Sequence, residues 1–186
     1  MRKLYLVIPV SAVVITALVV HKLNEPARST RKVNPTDQVS QPAPLFQLFD
    51  DQSQTVRLAR YIGRHKQNVM FFDGRNGPDQ CRLQLELKQE FPQFHKAGAI
   101  VLAVSEATPY ANREGMGRLE ERFPFPLLSD PDFRVHEQWQ AFDSKTGRTR
   151  PSIFVLDRSG RIRSRQDVGQ SPVNWDDLQR VLLSVP

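Results

Sequence analysis

The 186-residue chain contains a single cysteine, and this scarcity excludes several kinds of protein. One cysteine cannot form a disulfide within the chain, nor can it supply a cysteine-based zinc site. The four histidines are scattered, with no pair at metal-ligand spacing, so we expect neither a metal nor another cofactor. Hydrophobic residues make up 39% of the chain, which is enough for a globular core.

An excess of basic charge is also absent from most of the chain. The formal net charge is +6, but residues 1–34 contain six basic residues and one acidic residue. The rest of the chain has 20 basic and 19 acidic residues, a net charge of +1. Nucleic-acid-binding domains carry a basic face, often interleaved with aromatic residues, and residues 35–186 show no such stretch. We therefore predict no nucleic-acid partner.

One long apolar run is present, at the start of the sequence. Residues 4–20 are 17 uncharged residues that follow two basic ones. As a helix this run would reach about 25 Å, at the short end of a membrane span. A cleaved signal peptide usually has a shorter apolar core that ends in small residues, whereas here apolar residues continue past Ala17. We predict that residues 1–22 form a single-pass membrane anchor, with a signal peptide as the alternative.

Residues 23–42 are polar, contain proline and lack periodicity, which predicts a linker between the anchor and a domain at 43–186. Basic residues flank both ends of the apolar run, so charge does not fix its orientation. A short N-terminal tail before a large domain favours an extracytoplasmic domain held at the membrane. Cleavage of a signal peptide would instead export the domain.

Strand and helix patterns alternate in residues 43–186, which indicates an α/β fold. Apolar runs at 68–73 and 99–105 predict buried parallel strands, joined by a helix that begins at Cys81. The further predictions are a partly helical segment at 107–123, a helix within 129–142, a hairpin of 152–157 with 161–169, and a last helix capped by Ser171. Together they predict a three-layer α/β/α arrangement around a central mixed β-sheet.

Four segments carry a resemblance to a known family: APLFQLFDDQSQTVRLARYIG (43–63), FPQFHKAGAIVLAVSEAT (91–108), FPFPLLSDPDFRV (123–135) and RPSIFVLDRSGRIR (150–163). In order and spacing they resemble the peroxiredoxin family, also called the alkyl hydroperoxide reductase–thiol-specific antioxidant family. The resemblance implies a thioredoxin-like fold for the domain. It covers the chain from residue 43 to about residue 183.

The family's active loop reads Pro-x-x-x-Thr-x-x-Cys and works with a distant arginine. By this resemblance, Cys81 falls on the peroxide-reacting cysteine and Arg150 on the arginine. The loop departs from the family at two positions, because Gly74 replaces the proline and Pro78 replaces the threonine. Pro151 falls where the wider thioredoxin fold has a cis-proline that faces the thiol; an ordinary strand-edge proline is the alternative.

The resemblance implies an antioxidant oxidoreductase, a thiol-dependent peroxidase of one-cysteine type that reduces hydrogen peroxide or organic hydroperoxides through Cys81. Because the chain has no resolving cysteine, the reductant would be an external thiol, either a thioredoxin-like protein or a low-molecular-weight thiol. The reactive form is the thiolate, which a helix N-terminus and nearby cations favour. Besides Arg150, we consider Arg75 and Arg82 as such cations.

Pro78 can supply neither the hydroxyl nor the N–H that would align a peroxide, so we expect a weakened reaction, with Asp79 or water as a substitute donor. One alternative is a catalytically impaired redoxin-like domain that acts as a membrane-tethered binding or assembly module. Another is a tethered thiol oxidoreductase that assists cofactor or disulfide assembly, although it would lack the second thiol.

Overall fold

The computed structural model describes residues 41–168 and 172–186, which form nine β-strands and four α-helices. In chain order they are β1 (Gln47–Asp50), β2 (Thr55–Arg57), β3 (Lys66–Phe71), α1 (Arg82–Lys96), β4 (Ala99–Ser105), α2 (Pro109–Gly117), β5 (Leu127–Ser129), α3 (Arg134–Gln138), β6 (Phe142–Asp143), β7 (Arg148–Thr149), β8 (Ser152–Leu156), β9 (Ile162–Asp167) and α4 (Trp175–Ser184). Short 3₁₀ turns precede β3 and α1, at Leu58–Arg60 and Pro78–Gln80.

Seven of the strands form one mixed sheet in the order β2-β1-β5-β4-β3-β8-β9. The central strands β3, β4 and β5 are parallel, and the strands at both edges pair antiparallel. Since α1 connects β3 to β4, the predicted strand–helix–strand unit is confirmed. The predicted hairpin is confirmed as β8 and β9, and β6 pairs with β7 in a separate ribbon.

The core lies in two layers, one on each face of the sheet. On the first face, Met70 of β3 packs in one cluster with Leu87 of α1 and Leu178 of α4. On the second face, Phe71 packs with Val135 of α3. Successive strand side chains point to opposite faces, so the apolar second half of the fully buried β3 contributes to both layers. The predicted three-layer arrangement is confirmed.

The helix predicted within 129–142 is much shorter than expected, because α3 has only five residues. Phe133, which precedes it, adopts a left-handed backbone with φ of 57°. The carboxylate of Asp130 accepts the backbone N–H of Val135 at 2.9 Å. The Ser-Asp-Pro segment therefore makes a turn before the helix instead of starting it.

The last helix also begins later than predicted. Its N-cap is Asn174, whose side-chain oxygen accepts the N–H of Asp177 at 3.0 Å. Ser171, the predicted cap, lies outside the described residues. The helix predicted to begin at Cys81 starts one residue later, with Cys81 as its N-cap.

The predicted membrane anchor at 1–22 lies outside the described residues, as does all of the predicted linker except its last two positions. Within the ranges that the structure describes, no helix is both long enough and apolar enough to cross a bilayer.

Candidate active site

Cys81 lies beyond the carboxyl end of β3, where the central parallel strands end. The N–H of Phe72 still pairs with the carbonyl of Val104 at 3.0 Å, and the chain then leaves the sheet. Gly77 turns it with a left-handed φ of 86°, a 3₁₀ turn follows, and α1 begins directly after Cys81. The thiol is half-buried at the N-cap of that helix. In parallel α/β sheets this edge is where functional groups usually gather.

The loop before Cys81 passes so close to β4 that position 74 has no room for a side chain. A Cβ atom on Gly74 would lie 2.8 Å from the Cβ of Ser105 and 3.3 Å from that of Ala107. The N–H of Gly74 donates to both carboxylate oxygens of Glu106 at 3.2 Å. A proline at position 74 would place side-chain atoms in this space, and it would lack the N–H that Glu106 binds.

Pro78 is buried against the helix α2. A Cβ atom on Gly115 would lie 2.3 Å from the Cδ of Pro78, so the proline ring fills the space that this glycine leaves. The neighbouring Asp79 forms a bidentate ion pair with Arg118, at 2.8 and 2.6 Å. The Arg118 guanidinium lowers the pKa of the Asp79 carboxyl. Asp79, which the sequence offered as a substitute donor, is therefore an ionised group engaged elsewhere.

Opposing influences act on the Cys81 thiol. Burial raises the pKa of the Cys81 thiol, and the charges of Asp73 and Glu106 raise it further. The backbone N–H groups of Leu83 and Gln84 favour the thiolate and lower this pKa, although Cys81 makes no side-chain capping hydrogen bond. Burial and the two carboxylates outweigh the backbone N–H groups, so the pKa of the Cys81 thiol lies above its usual value.

Glu106 connects three segments beside the thiol. It follows β4 directly, and its carboxylate accepts the N–H of Gly74 and, at 2.9 Å, the hydroxyl of Thr149 on β7. Arg75 forms an ion pair with Asp73, and its Nε also lies 3.9 Å from Glu106. The hydrogen bonds from Arg75 lower the pKa of the Asp73 carboxyl to about 2.

Sequence reasoning missed Asp73 and Glu106 as site residues. A signal for both was present, because Asp73 is the last residue of the first predicted parallel strand and Glu106 directly follows the second. The carboxyl ends of such strands meet at one edge of the sheet. The two side chains could therefore have been placed together beside Cys81.

The two arginines predicted as local cations each form an ion pair with a carboxylate. Arg75 is paired with Asp73, and Nε of Arg82 lies 2.6 Å from Oε1 of Glu86, one turn along α1. The Arg82 side chain is 81% exposed. Neither guanidinium is thus available as an unpaired charge at the sulfur.

Arg150 is exposed and precedes β8. Its backbone N–H donates to the carbonyl of Ala141 at 2.7 Å. Its guanidinium forms no ion pair among residues 41–168 and 172–186. A hydrogen bond from the N–H of Lys145 lowers the pKa of the Asp143 carboxyl, and the charge of Arg150 adds a smaller effect.

The peptide bond before Pro151 is trans, which corrects the cis geometry considered from the sequence. Pro151 stands immediately before β8, where a missing N–H interrupts no ladder hydrogen bond. Its carbonyl accepts the N–H of Val168 at 2.8 Å. Pro151 is therefore an ordinary proline at the start of a strand.

Solved structures share this fold. A 2-Cys peroxiredoxin of Plasmodium vivax superposes with a TM-score of 0.68 over 78% of this chain and 94% of its own, at 15% identity. AhpC of Mycobacterium bovis superposes with a TM-score of 0.65 over 77% of this chain and 89% of its own, at 19% identity. These similarities show the thioredoxin-like α/β fold of peroxiredoxins.

The fold, with a lone thiol at the start of α1, defines a protein of the peroxiredoxin class. Alkyl hydroperoxide reductase E of Mycobacterium tuberculosis is 33% identical over 124 residues, which are 65% of this chain and 79% of that protein. The AhpC/TSA family model matches residues 39–165. The chain belongs to the AhpC/TSA family, which confirms the recognition from sequence and places it in general among thiol-dependent peroxidases.

We predict that Cys81 ionises at higher pH in the folded chain than after unfolding. Its raised pKa leaves less thiolate at neutral pH, so alkylation by iodoacetamide should level off at higher pH than it does for the same chain in urea. Mass spectrometry of the full-length protein from about pH 6 to about pH 10 measures this, with N-acetylcysteine as reference. A folded-state midpoint below that of the unfolded chain would contradict it.

Proposed function

We propose that this protein is a one-cysteine peroxidase that reduces hydrogen peroxide or organic hydroperoxides through Cys81. The observation that carries the proposal is the half-buried Cys81 at the N-cap of α1, the position of the reacting cysteine in the family's loop. The N–H groups of Leu83 and Gln84 stabilise an anion there. Such stabilisation is what a nucleophilic thiolate requires.

In the proposed reaction, the Cys81 thiolate attacks the terminal oxygen of the hydroperoxide. The S–O bond forms as the O–O bond breaks, and the departing oxygen takes up a proton to leave as an alcohol or water. Cys81 becomes a sulfenic acid. An external thiol then displaces water to give a mixed disulfide, and a second thiol releases Cys81 as the oxidised reductant leaves. A thioredoxin-like protein or a small thiol fits both roles.

We assign Arg150 as the cation that supports this reaction. Its guanidinium is without an ion pair in the described part of the chain, unlike Arg75 and Arg82. The preceding residue, Thr149, is hydrogen-bonded to Glu106 beside the active loop. Arg150 is not among the groups that shift the pKa of Cys81 in the free protein. In the proposed reaction its guanidinium favours negative charge on the bound peroxide and on the departing oxygen.

The second candidate function is a binding or assembly module without catalysis. The raised pKa of Cys81 and the replacement of a hydroxyl donor by the buried Pro78 favour it. Both features lower reactivity towards peroxide without disturbing the fold. The two functions therefore differ in whether Cys81 reacts with peroxide faster than an ordinary thiolate does.

Trapping of the sulfenic acid separates the two functions. We expect the full-length protein, treated with one equivalent of hydrogen peroxide and dimedone, to form an adduct at Cys81. Relative to the concentration of thiolate, the adduct should form faster on the protein than on N-acetylcysteine. The Cys81→Ser variant should form no adduct. Arg150→Met should slow the reaction about tenfold, while Arg148→Met, an exposed neighbour on β7, should not. Labelling no faster than that of N-acetylcysteine would favour the binding module.

Restoring a hydroxyl at position 78 tests why the reaction is weakened. We expect Pro78→Thr to accelerate formation of the sulfenic acid by about tenfold, because it returns a donor for the peroxide. Pro78→Val has nearly the same shape without the hydroxyl and serves as the matched control. Equal rates for the two variants would show that the missing hydroxyl does not limit the reaction.

We also propose that residues 4–20 attach the protein to a membrane, with the domain on the extracytoplasmic side. The uncharged run supports this attachment. We expect the full-length protein to remain in bacterial membranes after an alkaline carbonate wash, and its domain to be open to protease from the periplasm. Val13→Arg with Val14→Arg should release it, because each central arginine costs about 2.5 to 3.5 kcal/mol. A shortened, freely released wild-type chain would indicate a cleaved signal peptide instead.

A further inference from the structure

Glu106 carries a nearly buried carboxylate at the edge of the sheet where β3 and β4 end. Its side chain is 10% exposed, and its hydrogen-bond donors, the N–H of Gly74 and the hydroxyl of Thr149, are both neutral. Arg75 lies 3.9 Å away but binds Asp73 more closely, with Nε 2.8 Å from Oδ1. The negative charge of Glu106 is therefore only partly compensated, and it acts across a region of low polarity.

Cys81 lies at the start of α1, at the end of the loop whose Gly74 N–H is bound by Glu106. Asp73 and Glu106 are the carboxylates that disfavour its thiolate, and Arg75 is the cation between them. A hydrogen bond with Glu106 also helps to lower the pKa of the Asp73 carboxyl. When both carboxyl groups are ionised, the three side chains carry a net charge of −1. This charge opposes the N-terminus of α1, which favours an anion at the sulfur.

The other charged groups around the start of α1 belong to separate pairs or lie in solvent. Asp79 in the preceding 3₁₀ turn is paired with Arg118 at the end of α2. Within α1, the exposed Arg82 is paired with the partly buried Glu86. Arg150, before β8, is exposed, and its guanidinium forms no ion pair within the described ranges.

We propose that Glu106 is a positioning residue for Cys81. Its charge, together with those of Asp73 and Arg75, sets the pH at which the thiol releases its proton, while its hydrogen bond to Gly74 holds the loop that carries the thiol. The inference rests on the proposed function, in which Cys81 is the reacting thiol. Because peroxide reacts with the thiolate, the cluster controls what fraction of the protein is reactive at a given pH.

The three charges predict effects of opposite sign. Glu106→Gln keeps an oxygen acceptor for Gly74 but removes the charge, so alkylation of Cys81 by iodoacetamide at pH 7 should become about three- to tenfold faster. Asp73→Asn should act in the same direction. Arg75→Gln leaves two uncompensated carboxylates, and alkylation should become about threefold slower.

The experiment follows alkylation of the full-length protein against pH and compares the midpoints. Glu137→Gln removes an exposed carboxylate from α3, on the opposite face of the sheet, and should leave the midpoint unchanged. Unchanged midpoints in Glu106→Gln and Asp73→Asn would overturn the proposal. So would a shift in one direction for all three cluster variants, as a loosened loop would give.

Thermal unfolding shows whether each variant is folded. If Glu106→Gln does not fold, the two single variants Asp73→Asn and Arg75→Gln still test whether the midpoint shifts have opposite signs. Their shifts in opposite directions support the proposal, and equal or absent shifts overturn it. Alkylation needs no peroxide, so this result is independent of the dimedone experiment. A protein without peroxidase activity but with these shifts would refute the proposed function alone.

Discussion

The hydrogen bonds of the Glu106 carboxylate hold together the segments on which the candidate site depends. They join the end of β4 to the N–H of Gly74 in the active loop and to the hydroxyl of Thr149 on β7. Since Gly74 has no Cβ, the loop can lie against Ser105 at a distance that a side chain would prevent. These contacts fix the position of the Cys81 loop relative to the central parallel strands, which are buried on both faces. A thiol held in this way owes its geometry to the rigid part of the fold rather than to a free loop.

The same carboxylate also works against the chemistry that the position of the thiol favours. A helix N-terminus offers about half an elementary positive charge, and it is effective only within the first turn. Against it stand the burial of Cys81 and the charges of Asp73 and Glu106, of which Arg75 compensates one. Reactive cysteines usually lie in electropositive surroundings. Cys81 has the position of a nucleophile, at a helix N-cap, but the charges around it favour the protonated thiol. Its reactivity therefore depends on pH and on any cation that approaches the sulfur.

Much of the fold could be predicted from sequence, because the signals were local or periodic. The buried runs of β3 and β4 and the apolar face of α1 determine the strand–helix–strand unit, and the resemblance placed Cys81 at its turn. The short α3 could not be foreseen, since nothing local forces Phe133 into a left-handed backbone or directs Asp130 to the N–H of Val135. The partners of the charged residues were equally hidden. Arg75 and Arg82 look like free cations in the sequence, and only the fold shows that each has a carboxylate partner.

The two departures from the family's loop are matched by their neighbours, which argues that the loop is an adapted structure rather than a damaged one. A glycine in place of the proline provides an N–H, and that N–H is bound by Glu106. A proline in place of the threonine adds a ring, and Gly115 of α2 provides the space for it. Random loss of function would leave unsatisfied donors or gaps at such positions, because nothing would select for their repair. The loop therefore gives Cys81 a defined, half-buried place without the groups of the family's loop that would activate the thiol. Such a site suits a thiol whose reaction is slow by itself and is governed by its surroundings.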